Sequence, residues 1–283
     1  MINKIDVDIK YSLLLPVPAI ALGAFAAFQN NISPLAFLWN GVAVAIGIGL
    51  SLWLARRRDL FENFFLLYSL ALILVVVLAL SLFDTGMDGV KRYLSLGRLM
   101  VNPSAIFSPL LLFCTFLFLK KNEFWALFLT SFVTAIHFLQ PDAGQATAFG
   151  GAAIVLFLFG PSKLPIRFIG CVIAVAGVIM TWQQPDPLPA VEHVEGILHL
   201  IARAGVGFIF LEVIIFLSLL LPMLQALRKA SFSSVKCLMW SLIIYVILTF
   251  VVTEVGNFPV PLFGGGASPV LGYYLILGLI RLI

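Results

Sequence analysis

The chain has 283 residues, 62% of them hydrophobic and only 11% charged, and its mean hydropathy is +1.12, whereas a soluble domain carries roughly 45–50% apolar and about 25% charged residues. A water-soluble globule is excluded. The 17 Lys+Arg against 13 Asp+Glu give a net charge of +4, a sign better explained by loop topology across a membrane than by nucleic-acid binding.

Apolar runs fall at 11–28, 34–55, 62–83, 104–119, 123–139, 144–160, 165–182, 200–223, 235–253 and 266–283. Each membrane helix takes about 20 residues, so the prediction is one all-α polytopic membrane domain over 1–283 with about ten transmembrane helices. The first run follows Lys4 and Lys10 and ends in small residues near Ala26, the form of a cleaved signal peptide. Its length and the acidic Asp6 and Asp8 favour a retained helix.

With both termini placed on the cytoplasmic side, 13 of the 17 basic residues fall in inner segments, among them Arg56, Arg57, Arg58, Lys120 and Lys121. Only Lys91, Arg92, Arg98 and Arg203 fall outside, and the positive-inside rule then sets the orientation. Asp84, Asp88, Asp142, Asp186, Glu192, Glu195 and Glu254 all lie on the outer side, so polar chemistry is expected there. Cys114, Cys171 and Cys237 form no paired motif and indicate neither a disulfide framework nor a thiolate metal site.

Four clusters stand out along the outer loops. The first is Gly89-Val90-Lys91-Arg92-Tyr93-Leu94-Ser95-Leu96-Gly97, followed by Asn102-Pro103-Ser104. Its cations suit a phosphate or pyrophosphate headgroup, Arg as a planar fork and Lys as a point charge; they also suit a solvated loop against anionic lipid. The second is Gln140-Pro141-Asp142-Ala143-Gly144, where Asp142 is placed either to cap a helix or to meet a ligand, and where Gly150 and Gly151 downstream suit close helix packing. The third is Pro185-Asp186-Pro187, then Glu192-His193-Val194-Glu195, with His199 and Arg203 beyond. A semi-buried carboxylate beside a histidine can deprotonate a hydroxyl, and the spacing of Glu195, His199 and Arg203 equally describes an exposed face at a helix entrance. The fourth, Gly256 to Pro269, is rich in Gly and Pro, lacks the Lys-Ser/Thr ending of a phosphate-binding loop, and reads as a re-entrant or tightly turned segment before the last helix. Glu212, inside an apolar run, is protonated, paired or functional.

Taken in order, G-V-K-R-Y-L-S-L-G with N-P-S, Q-P-D-A-G, and P-V-P-L-F-G-G-G-A-S-P resemble the RodA/FtsW family, the SEDS proteins of bacterial shape, elongation, division and sporulation. The resemblance spans residues 84–283. It implies ten membrane helices in the bacterial cytoplasmic membrane, polymerisation of glycan strands from undecaprenyl-linked disaccharide pyrophosphate, and a class B penicillin-binding-protein-type transpeptidase as partner. His193-Val194-Glu195-Gly196 aligns with the family's H-[TN]-D-F element, so the resemblance implies Glu195 as the catalytic base, with Lys91, Arg92, Arg98, Asp142 and His193 binding substrate. Ala105 and Ser108 stand where the family pattern has Glu and Lys, and the outer loop before the eighth run is short. No cofactor is implied; a divalent cation is compatible, its ligands unassigned. A catalytically silent scaffold for a cell-wall partner and a transporter of the lipid-linked precursor are the alternative readings.

Overall fold

A computed structural model describes residues 9–97 and 99–282. Lys4, Asp6, Asp8 and Arg98 lie outside the described residues. The helices, in chain order, are α1 (Ile9–Ser12), α2 (Pro16–Gln29), α3 (Leu38–Leu54), α4 (Asp59–Glu62), α5 (Phe64–Leu80), α6 (Pro103–Lys121), α7 (Glu123–Leu139), α8 (Ala143–Phe159), α9 (Leu164–Trp182), α10 (Ile197–Arg203), α11 (Val206–Lys229), α12 (Ser233–Val251) and α13 (Ala267–Leu282). Six stretches are long and apolar enough to cross a membrane: Pro34–Leu54, Phe64–Phe83, Pro103–Lys121, Leu164–Trp182, Val206–Lys229 and Ser233–Glu254. The helices α2, α7, α8 and α13 are apolar but shorter. Every apolar run of the sequence is helical.

Two of the runs are divided. The first is interrupted by a turn between α1 and α2. The eighth is interrupted at Gly205, whose φ of +123° lies where an L side chain is strained; the short α10 precedes the break, and α11 continues to Lys229, past the predicted end near 223.

Centrally placed α6 is buried along almost its whole length, from Pro103 to Leu119, and α13 likewise. These two helices pack on each other; α13 also packs on α3, and α8 packs on α9 and α12. Along the α8–α12 seam, α12 places a donor once per turn: Cys237 Sγ to the Val155 carbonyl at 3.4 Å, Ser241 Oγ to the Ala152 carbonyl at 2.9 Å, and the Tyr245 hydroxyl to Gln145 Oε1 at 3.0 Å. Gly150 and Gly151 serve this packing. A Cβ on Gly150 would press on Val178 of α9, and one on Gly151 would meet Leu248 of α12.

The connection from α5 to α6 contains an antiparallel hairpin that the apolar pattern does not announce, β1 (Leu94–Leu96) with β2 (Leu99–Val101), Ser95 opposite Met100. Its turn starts at Gly97, φ +65°, the conformation tight hairpins require. Asp84 pins the hairpin: its carboxylate accepts from Ser95 N at 2.8 Å, Ser95 Oγ at 3.1 Å, Thr85 Oγ1 at 3.2 Å and Gly86 N at 3.4 Å. These bonds hold the Asp84 carboxyl below its usual range, the Ser95 amide contributing most.

Candidate functional site

The starts of α6, α8 and α13 come together through one residue. Asn102 caps α6, its Oδ1 accepting from Ala105 N at 3.0 Å; its Nδ2 donates to Asp142 Oδ2 at 3.0 Å, and its backbone N–H donates to Ser268 Oγ at 2.9 Å. Asp142 in turn caps α8 through Gln145 N at 3.0 Å. Three helix N-termini thus meet, each carrying the positive end of a helix dipole. A polar knot beside them, in which Ser104 donates to Gln140 Oε1 and Gln140 Nε2 donates to Ser81 Oγ and the Leu78 carbonyl, fixes the corner between α7 and α8 against α5.

Over these termini lies a cavity of about 290 Å³ whose lining includes Arg92, Asp142 and Glu195. Arg92 is 1% exposed. Its Nη1 donates to Asp186 Oδ2 at 2.8 Å and its Nη2 to the Asn257 carbonyl at 3.4 Å, while its Cζ lies 5.6 Å from the Tyr93 ring and 5.4 Å from the Phe258 ring. Burial works against the Arg92 charge, but the neighbouring Tyr93, Asp142 and Asp186 outweigh it and hold the guanidinium pKa above its ordinary value. Burial also pushes the Tyr93 phenol up to about 12, against the pull of Arg92.

Glu195 sits in the turn before α10, not in a helix. Its Oε2 accepts from Val191 N at 2.9 Å. Burial raises its carboxyl above the usual range, with the Val191 and Glu195 amides and the Arg92 charge opposing. The helical stripe that the spacing suggests is not formed: α10 starts at Ile197, and His199 and Arg203 are exposed while Glu195 turns into the cavity lining.

The Gly256–Gly266 stretch is turned and non-helical, as its composition predicts, with Phe258, Val260, Leu262, Phe263 and Gly264 buried. Val260 N donates to the Val194 carbonyl at 3.2 Å, Gly265 N to the His193 carbonyl at 2.8 Å, and Asn40 Nδ2 to the Gly264 carbonyl at 2.8 Å. His193 therefore acts here through its backbone, is not part of the cavity lining, and has an imidazole pushed below its usual range by burial, with Glu192 opposing. Lys91 is likewise outside the lining; its Nζ donates to the Leu82 carbonyl at 3.1 Å and closes its own loop. Glu212, half-buried on α11, lines no part of the cavity and forms no ion pair among the described residues.

Asp186 falls in the third sequence cluster without a role of its own, and Tyr245 and Gln145 are not singled out by the sequence. A tyrosine in an apolar helix is the one readable sign, since a buried hydroxyl needs a partner. Among the described residues no three His, Cys, Asp or Glu side chains gather as a metal site. Both Asp142 oxygens accept hydrogen bonds, one from Asn102 Nδ2 and one from Gln145 N.

Neither a family model nor a curated protein matches the sequence. Solved structures do. The rod-shape-determining protein RodA of Thermus thermophilus aligns over 96% of this chain and 94% of its own, with a TM-score of 0.65 and 23% identity. A chain from a structure described as showing the coordination of polymerization and crosslinking by a peptidoglycan synthase complex aligns over 97% of this chain and 98% of its own, with a TM-score of 0.69 and 21% identity. The chain has the SEDS-family fold. At this identity the likeness establishes the fold and leaves the chemistry to the residues. In this SEDS fold Ala105, at the first turn of α6, forms part of the cavity wall, and Ser108 is buried one turn further on, its hydroxyl interacting with that of Tyr245.

Proposed function

We propose that the chain is a divergent SEDS-type glycosyltransferase that polymerises undecaprenyl-linked disaccharide pyrophosphate into glycan strands at the outer face of the bacterial cytoplasmic membrane, with a class B penicillin-binding-protein-type transpeptidase as partner. The observation that carries this reading is the lining of one cavity by Arg92 and Glu195 over the N-termini of α6, α8 and α13. A pyrophosphate leaving group gains negative charge as its bond to the sugar breaks, and a buried guanidinium with helix N-termini stabilises such charge. Glu195 takes the proton of the acceptor hydroxyl; the freed oxygen attacks the anomeric carbon, and the lipid pyrophosphate departs toward Arg92. A carboxylate whose pKa is raised by burial is the better base for this step. Asp142 shapes the site by capping α8, and Lys91 and His193 support the loops that carry Arg92 and Glu195; Arg98 is proposed as a further cation for the lipid phosphates.

A second reading has a specific observation in its favour. Ala105 and Ser108 occupy the positions where the family resemblance expects Glu and Lys, which fits a catalytically silent scaffold that retains a lipid-binding cavity. Purified protein incubated with the lipid-linked disaccharide, with and without a cognate transpeptidase, separates the two: polymer upholds the enzyme, and binding without polymer under every partner condition upholds the scaffold.

A further inference from the structure

The Arg92–Asp186 pair has an unusual geometry. Arginine commonly meets a carboxylate through two parallel N–H donors, yet Asp186 engages Arg92 through Nη1 alone, at 2.8 Å. The other edge of the planar guanidinium, where Nε and Nη2 lie side by side as a fork, is nearly unspent. Nη2 has a 3.4 Å contact to the Asn257 carbonyl, the Tyr93 hydroxyl also interacts with the guanidinium, and Nε has no close hydrogen-bond partner among the described residues although it is buried. A charged donor left this way is costly in a folded protein unless something else accepts from it.

The guanidinium is also prevented from turning. The Tyr93 and Phe258 rings lie within 6 Å of its Cζ. Asp186 is itself fixed, its Oδ1 accepting from Leu188 N at 3.4 Å, and Asn257 Nδ2 ties the Leu188 carbonyl at 3.0 Å to the segment that follows α12. Three connections separated in sequence thus converge on one guanidinium of the cavity lining and leave its Nε without a close acceptor among the described residues.

We propose that Asp186 is a positioning residue: it holds the Nη1 end of Arg92 so that the Nε/Nη2 fork is presented to two oxygens of a phosphate group. A tetrahedral phosphate places two oxygens at the spacing of the fork; a sugar hydroxyl or a water supplies one. Identification of that phosphate as part of a lipid pyrophosphate rests on the function proposed above; the fork and its orientation do not. Because Asp186 and Glu195 lie in the same connection, the ion pair also links anion capture to the loop that carries the base.

The test is the affinity of the full-length protein for inorganic pyrophosphate, by titration calorimetry, in the parent, Asp186→Ala, Arg92→Lys and the double variant, with melting temperatures confirming that each is folded. Both single variants are expected to bind about tenfold more weakly, since lysine supplies no fork and the alanine variant loses the orientation, and the double variant no more weakly than Arg92→Lys alone. Asp186→Asn, which keeps an acceptor oxygen for Nη1, should recover part of the loss. Tighter binding by Asp186→Ala would make Asp186 a competitor for Arg92. Unchanged binding, additive losses, or a parent that binds no pyrophosphate would each overturn the proposal. Polymerisation is not read in this titration: a protein that captures pyrophosphate through the fork but makes no polymer upholds the inference and defeats the glycosyltransferase reading. Polymer formation with unaltered pyrophosphate affinity in Asp186→Ala does the reverse.

Discussion

One wall of the cavity, built from the connections before α6 and before α10, carries Arg92 and Glu195, with Asp186 paired to the guanidinium; the other, built from α6, α12 and α13, presents Ala105, Tyr245, Tyr273 and Ser268. Side-chain charge belongs to the loop wall and to Asp142, the cap at the start of α8. The helical wall supplies shape, hydroxyls and the dipoles of helix starts. The family resemblance would place a glutamate and a lysine on α6, at Ala105 and Ser108, so in this chain any charge-dependent step has to run from the loops. It follows that substitutions on the loop wall should change chemistry and leave folding intact, and substitutions on the helical wall should do the opposite.

The largest expected effect tests the loop wall. Glu195→Gln keeps the size of the side chain and removes its basicity, so polymerisation should fall by about 10²–10⁴-fold, the range for loss of a general base, with expression and lipid binding retained. Glu192→Gln, at an exposed position beside it, should leave the rate near that of the parent. Polymerisation assays on the two variants in parallel decide this; a Glu195→Gln protein as active as the parent removes the base from the loop wall.

A pH profile sharpens the same assignment. A base works deprotonated, so turnover should fall as pH drops through the Glu195 pKa. Burial raises that pKa, which puts the acid limb of the profile above the value of about 4.3 for an ordinary glutamate. The limb should be absent from the residual activity of Glu195→Gln. An acid limb that persists unchanged in that variant belongs to another group.

On the helical wall the readout is stability. Gly272 of α13 lies against the backbone of α6, where a Cβ would collide with the Ala105 carbonyl; forcing an extra carbon into packed structure costs about 1–3 kcal/mol. A Cβ on Gly207, in the first turn of α11, would meet nothing within 4 Å, and a Gly→Ala change there should stabilise by less than the roughly 0.5–1 kcal/mol of a mid-helix position. Thermal unfolding in detergent is expected to move down for Gly272→Ala and up or not at all for Gly207→Ala. Equal shifts would mean that the approach of α13 to α6 is looser than the cavity wall requires.

Much of this contrast is readable in the residues, and the unreadable part has a physical cause. Every apolar run is helix because a membrane segment has to satisfy its own backbone. Asp142 is placed as a helix cap by its sequence neighbours, since capping is local. The pairing of Arg92 with Asp186 spans 94 residues of sequence, and no local pattern encodes it. Glu195, His199 and Arg203 have helical spacing, but the chain is not yet helical at Glu195, whose carboxylate folds back on Val191 N. The hairpin leaves no trace in the pattern because strands of three residues are too short for alternation to register.

The smallest expected effect lies where the two walls differ least in polarity, at Tyr245. Its hydroxyl donates to Gln145 Oε1 at 3.0 Å across the α8–α12 seam, and both residues line the cavity. Hydrogen bonds between membrane helices are worth on average about 0.6 kcal/mol. Ser241 and Cys237 continue the same seam one and two turns away, so the helices stay registered when one bond is lost. Tyr245→Phe should therefore lower stability by less than about 1 kcal/mol, and Ser241→Ala by a similar amount. Polymerisation can separate the two, because Tyr245→Phe removes a hydroxyl from the cavity wall, whereas Ser241 is not part of the lining. If Tyr245 only ties α8 to α12, both variants polymerise at the parental rate, and the division between a chemical loop wall and a structural helical wall stands. A rate loss of tenfold or more in Tyr245→Phe alone, at matched stability, would give the helical wall a share in handling substrate and break the division.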